Sequence, residues 1–199
     1  MKSNICIVQR GGVGLDAVLM EVEKVTAYNG MQKKEALRLR LLAEELVGML
    51  SELVKNFDGC VWLQNEGSQY ELHAELSVES LSKEKKGALI AVSASKKNAA
   101  ASSFMGKIRD VAENMLLFSE DPNACGGIDA DCLRDYSAAD IHYAYAWTLE
   151  HYVRQQKERL TATSEEWDQL EKSIVAKLAD DVIVGVRGKK VEIMIKKQF

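Results

Sequence analysis

The stretch from Lys33 to Lys55 constrains the fold more than any other part of the chain. Leu39, Leu42, Leu46, Met49, Leu50 and Leu53 recur mostly at steps of three and four. That spacing puts them on one side of an α-helix. Arg38, Arg40, Glu44 and Glu52 decorate the remainder, so the stripe needs an apolar partner to bury against. Asn56-Phe57-Asp58-Gly59 follows as a stop.

The partner is written directly after it. Gly59 to Asn65 and Tyr70 to Glu79 both alternate. In the second run Leu72, Ala74, Leu76 and Val78 face one way, and Glu71, His73, Glu75 and Ser77 face the other. A period of two means strands of a sheet with one buried face. Glu66-Gly67-Ser68-Gln69 reads as the hairpin turn between them.

The rest of the chain extends this pattern. Asn4 to Val8 predicts a short strand, followed by Gly11-Gly12-Val13-Gly14. Leu15 to Ala27 predicts a helix with Val18, Val22 and Val25 inside, stopped at Tyr28-Asn29-Gly30. Beyond the charged break Lys83-Glu84-Lys85-Lys86, Gly87 to Ser95 predicts a third strand of the meander. Phe104 to Phe118 predicts a helix. Ser119 to Tyr136 carries little pattern. Ser137 to about Leu160 predicts a long helix with Tyr143, Tyr145, Trp147 and Tyr152, aromatic residues that serve an interface or pack on the sheet's second face. Ser164 to Leu178 predicts another helix, capped by Ser164, with Trp167, Leu170, Ile174 and Leu178 as its buried stripe. A closing hairpin alternates through Val182, Val184 and Val186, then Val191, Ile193 and Ile195. The expected fold is a single α+β domain over 1–199, a two-layer sandwich of helices on a mixed, mostly antiparallel sheet, with a helical insertion over 119–160.

Composition narrows the function classes. The 26 Lys+Arg against 30 Asp+Glu give a net charge of −4. A generic nucleic-acid binder needs a basic surface, so nucleic acid is not an expected partner. No apolar run reaches the ~20 residues of a membrane-spanning helix. The N-terminal apolar run is too short for a signal peptide. Cys6, Cys60, Cys125 and Cys132 are scattered, with no metal-ligand spacing, which predicts buried thiols in a reduced, cytoplasmic protein. His73, His142 and His151 are dispersed and predict no metal site. Gly11-Gly12-Val13-Gly14 lies between strand and helix, where amides can cradle phosphate. It lacks the Gly-Lys-Ser/Thr of a P-loop, and a tight turn is its ordinary explanation.

The element order resembles the GHKL group of histidine-kinase-like ATPases, and within it the small anti-sigma-factor serine kinases. The resemblance rests on Leu37 to Leu50, on Phe57-Asp58-Gly59 and on the strand from Tyr70 to Glu79. It covers roughly Asn4 to Phe118 and the final hairpin. In that family a long helix carries Glu-x-x-x-Asn, the Glu orienting a water and the Asn binding Mg²⁺. The resemblance therefore implies ATP with Mg²⁺ as cofactors and makes Glu45 the matching catalytic base. It places a nucleotide site at Met49, Glu79, Lys96, Lys97, Gly106 and Lys107. The segment from Lys96 to Ser103 takes the place of the family's ATP lid.

This chain departs from the family at three positions. Met49 stands where the Asn belongs, and neither it nor Gly48 offers the hard oxygen that Mg²⁺ demands. The strand from Tyr70 runs into Ser77-Val78-Glu79-Ser80, without the family's Asp-x-Gly. The glycine-rich second box is reduced to Gly106. The expected function is thus a degenerate module that has lost kinase chemistry and regulates a partner protein by binding it. The homodimer is one form that partner surface admits. An active ATP-dependent serine kinase is the alternative, and an α+β scaffold without nucleotide binding is a third.

Overall fold

The computed structural model describes residues 1–9, 13–53, 58–77, 108, 111–112, 115, 145–158, 173–187 and 190–199. In chain order the elements are β1 (Cys6–Val8), α1 (Leu15–Tyr28), α2 (Lys33–Leu53), β2 (Asp58–Glu66), β3 (Gln69–Ser77), β4 (Tyr145–Thr148), α3 (Leu149–Glu158), α4 (Ile174–Leu178), β5 (Asp181–Arg187) and β6 (Lys190–Gln198). The strands form one six-stranded sheet in the order β1-β2-β3-β6-β5-β4. Every pairing among the described residues is antiparallel. The α+β class is as the sequence patterns predict.

Register carries the core across all six strands. Cys6, Val61, Ala74, Ile193, Val184 and Trp147 lie opposite one another in one row. The neighbouring rows place Leu63, Leu72, Ile195 and Val182 on the same face, and likewise Leu76, Val191 and Val186. Against it pack Val18, Val22 and Val25 of α1 and Leu39, Leu42, Leu46, Met49 and Leu50 of α2. Ile108, Ala112 and Met115, which are helical, join the same core. The leucine stripe therefore buries as its spacing requires. Each such side chain contributes about 1.5–3 kcal/mol of burial.

Two glycines set close approaches. Gly14 precedes α1 with φ +94°, and a Cβ there would collide with the Ile7 carbonyl oxygen. The ordinary reading of the Gly-rich run, a tight turn, holds at this position; Gly11 and Gly12 lie outside the described residues. At Gly59 a Cβ would collide with the Glu75 carbonyl oxygen and the Leu76 side chain. The β2–β3 hairpin turns at Gly67-Ser68 as expected and pairs from Glu66↔Gln69 to Asp58↔Ser77. Both chain ends fasten to this turn. The Met1 amino group donates to the Asn65 carbonyl, and the Phe199 N–H donates to the Ser68 carbonyl at 2.9 Å.

Three expectations are corrected. Within the helix expected from Ser137 to Leu160, the described residues are strand over Tyr145–Thr148 and helix over Leu149–Glu158, and residues 137–144 and 159–160 lie outside the described residues. The physical reason is β5: Trp147 pairs with Val184 and Thr148 with Ile183, and Ala146, Trp147 and Thr148 are all buried. A sequence of Tyr-Ala-Trp-Thr, rich in β formers, takes the strand once that edge is available. Part of the stretch expected as an inserted helix thus completes the sheet. For Trp147 and Tyr152, packing on the sheet's second face is also corrected. Trp147 lies on the core face, 5.8 Å from the Tyr152 ring, which packs against the same core.

The third concerns Ser164 to Leu178. Ser173 adopts an extended conformation, and its Oγ accepts from the Ala176 N–H at 3.2 Å, so α4 starts at Ile174. Val175 is fully buried and Leu178 packs against the core as expected, whereas Ile174 is exposed; Trp167 and Leu170 lie outside the described residues. Ser164, the strand expected over Gly87 to Ser95 and the segments 96–103 and 119–136 lie outside the described residues. No helix among the described residues is long and apolar enough to cross a membrane.

Candidate functional site

The site implied by the family resemblance begins on α2. Glu44 and Glu45 are adjacent in sequence but occupy different borders of the helix. Glu44 is exposed and accepts from Arg40 Nε at 2.9 Å, while the same guanidinium pairs with Glu23 of α1. Gly48, one turn on, has open space around it. Glu45 is half-buried, and Met49, one turn on, is only 5% exposed within the core. The i,i+4 pair that borders the core is thus Glu45 and Met49. A carboxylate followed by a buried thioether offers one hard oxygen donor group where Mg²⁺ chemistry needs several.

Glu79, Lys96, Lys97, Gly106 and Lys107 lie outside the described residues. Of the sequence-derived site, the structure therefore describes Glu45 and Met49, on one helix border. Ile108, the residue after Lys107, is fully buried in the core. Among the described residues no group of three or more His, Cys, Asp or Glu side chains is arranged to hold a metal ion.

A second polar constellation lies on the opposite face of the sheet, where β2, β3 and β6 bring its members together. Trp62 of β2 lies opposite His73 of β3, and the rings stack with centroids 4.9 Å apart at 5°. The Lys2 ammonium sits 4.3 Å from the Trp62 ring. His73 Nε2 is 3.2 Å from Glu71 Oε2, and Nδ1 is 3.7 Å from Glu192 Oε1 on β6. In the next row Cys60 lies opposite Glu75, which pairs with Lys190. Burial pushes the Cys60 thiol up, and the nearby Glu75 carboxylate adds to it. Hydrogen bonding to Glu75 pushes Lys190 up as well. The Trp62–His73 contact follows from the two-residue turn alone, because a hairpin closed at Glu66 and Gln69 places residue 62 opposite residue 73. Glu192 had no such signal, since its strand is more than a hundred residues away in sequence.

A groove of about 510 Å³ runs between α3 and α4. Leu149, Val153, Ala176 and Ala179 line it, with Arg154 and Lys157 beside Glu150 and Asp180 at its rim. Charges of both signs at the rim select no ligand of one charge.

No family model matches the chain, and neither the search of curated proteins nor the search of solved structures finds a similar protein.

Proposed function

We propose that the chain is a degenerate histidine-kinase-like ATPase module, a cytoplasmic regulatory protein that acts by binding a partner protein without phosphorylating it. The observation that carries the reading is the burial of Met49 one turn after half-buried Glu45. In the family's arrangement that position faces the metal and must present oxygen. Here it completes an apolar stripe with Leu42, Leu46 and Leu50. Support for the family relationship is the order of elements, with a long leucine-striped helix leading into an antiparallel hairpin and a second hairpin closing the chain.

The cytoplasmic assignment rests on the thiols. Cys6 lies in a core-facing row and Cys60 in an outward-facing row of adjacent strands. Side chains on opposite faces of a sheet do not form a disulfide. The active serine kinase reading would require an oxygen ligand four residues after Glu45, and Met49 supplies sulfur inside an apolar shell.

Thermal melting with and without excess Mg-ATP tests the reading. A ligand present at 100 times its Kd adds about 2.7 kcal/mol of stability to the state it binds. The expected result is an unchanged melting temperature. A rise of several degrees, dependent on Mg-ATP concentration, contradicts the loss of the nucleotide site.

A further inference from the structure

The outer side of the helix layer carries a second pattern, which the core does not use. Asp16, Met20, Glu23 and Ala27 of α1 are exposed and follow at steps of four, three and four. Lys33, Leu37, Arg40 and Glu44 of α2 repeat those steps. Such spacing puts each set on one line along its helix. Helix α2 folds back beside α1, because Glu23 pairs with Arg40 although each lies well away from the joining turn. The two lines therefore run in opposite directions along one face.

The Glu23–Arg40 pair is the midpoint of that face. Met20 and Leu37 each stand three residues before it on their own helix, and Asp16 and Lys33 each stand seven before it. Seven residues are about 10.5 Å of helix. Because the helices oppose, Asp16 marks one end of the face and Lys33 the other. Met20 is 59% and Leu37 56% exposed, on a side where a helix layer is ordinarily polar. Neither Asp16 nor Lys33 makes an ion pair with a described residue. Lys33 also begins α2, where a cation opposes the helix dipole. Glu23, Arg40 and Glu44 satisfy one another within the chain and are not counted towards a partner.

A face with an anion at one end, a cation at the other and an exposed apolar side chain on each side of the centre complements itself. Two-fold association needs a patch that matches its own copy. We propose that the outer face of the α1–α2 hairpin docks a second copy of this chain. A two-fold axis lying across the helices at the Glu23–Arg40 pair turns the second copy end for end. Lys33 then comes level with Asp16 of the second copy, and Leu37 with Met20 of the second copy. Symmetry makes each contact twice. The four helices pack as an antiparallel bundle, in which the leucine and methionine leave water and the first-turn lysine gains a carboxylate. The matching of the two ends serves a second copy and confers nothing on an unlike partner. This surface is separate from the nucleotide question, so the Mg-ATP result bears on neither outcome.

Sedimentation equilibrium of the full chain across the micromolar range tests the proposal. The wild type is expected to dimerise. Asp16→Lys and Lys33→Asp each set like charges together twice, so each should raise the dimer dissociation constant about tenfold or more. Mixed in equal amounts, the two variants carry opposite charges at both meeting points, and a mixed dimer should form. Leu37→Gln leaves the charges in place and should weaken the dimer as well. Circular dichroism of each variant separates lost association from lost fold. A wild type that stays monomeric overturns the proposal and leaves the face to an unlike partner. A dimer unaffected by either charge reversal, or a mixture that stays monomeric, overturns it too.

Discussion

Glu21 on α1 accepts hydrogen bonds from both the backbone N–H and the side-chain amide of Asn4, at 3.2 and 2.9 Å. A buried carboxylate thereby ties the first helix to the segment leading into β1. Burial acts to raise the Glu21 carboxyl, but the Asn4 backbone N–H, the Lys24 ammonium at 3.2 Å and the Asn4 amide together outweigh it and hold it below the usual carboxylate range.

A carboxyl depressed in the folded state contributes stability above its unfolded value of ~4.3 and loses it as pH falls through the folded value. Glu21→Gln is expected to cost about 1–3 kcal/mol at neutral pH, because the neutral amide accepts more weakly and presents a donor towards Lys24. The gap between wild type and variant should narrow as pH is lowered from 5 through the acid range, roughly as linkage requires. Urea unfolding across that range measures it, and a gap independent of pH contradicts the role given to the charge.

Met49→Asn separates a packed core position from a surviving ligand position. Burying an amide without partners costs roughly 1–3 kcal/mol by mutational experience, and the lost thioether packing adds to it. The expected loss is therefore ~2 kcal/mol or more. Chemical denaturation gives the value. A neutral substitution would mean that the side chain faces open polar space.

Helix α3 depends on two acceptors at its start. Thr148 Oγ1 accepts from the His151 N–H, and Asp181 Oδ1 of β5 accepts from the Glu150 N–H, each at 3.2 Å. Thr148→Ala is expected to cost about 1 kcal/mol, a typical loss of a cap. Asp181 behaves differently. Burial pushes its carboxyl up, more than the Glu150 and Val182 amides hold it down. A raised carboxyl contributes stability below its unfolded value of ~3.9 and loses it as pH rises through the folded value. Asp181→Asn keeps an acceptor oxygen and removes the buried charge. It should be neutral or stabilising at pH 7, and its advantage should shrink at about pH 3. Melting temperatures at the two pH values decide this.

Gly59→Ala should destabilise by about 1–3 kcal/mol, the usual cost of overpacking. Its Cβ meets a backbone oxygen of the neighbouring strand, Glu75, which cannot swing away as a side chain can. Unfolding free energies of the purified variant test it. Tolerance within experimental error would contradict the close β2–β3 approach.

The parts of this fold legible in the sequence are those governed by local pattern. The leucine stripe of α2 specified its own buried face, and the alternation of Tyr70 to Ser77 specified which side chains of β3 meet it. The turn at Gly67-Ser68 fixed the register of that hairpin. Tyr145–Thr148 was misread because Tyr145, Leu149 and Tyr152 recur at helical spacing, which outweighed the β preference of Tyr-Ala-Trp-Thr in the sequence reading. Only the edge of β5, supplied from later in the chain, decides between them. The same reason hid the His73 environment. Glu71 and Trp62 are reachable by local register, but Glu192 arrives with β6, whose pairing with β3 no nearby residue announces. At the α2 site, the departure at Met49 was visible as a residue type, while its burial depended on tertiary packing.

Calorimetric titration of the full chain with Mg-ATP, repeated with Mg-ADP, tests the central claim most directly. A chain whose Glu45 is followed by a core methionine is expected to show no saturable heat at nucleotide concentrations up to the millimolar range. A saturable isotherm with micromolar affinity, near −8 kcal/mol of binding free energy, would contradict it and return the protein to the active kinases.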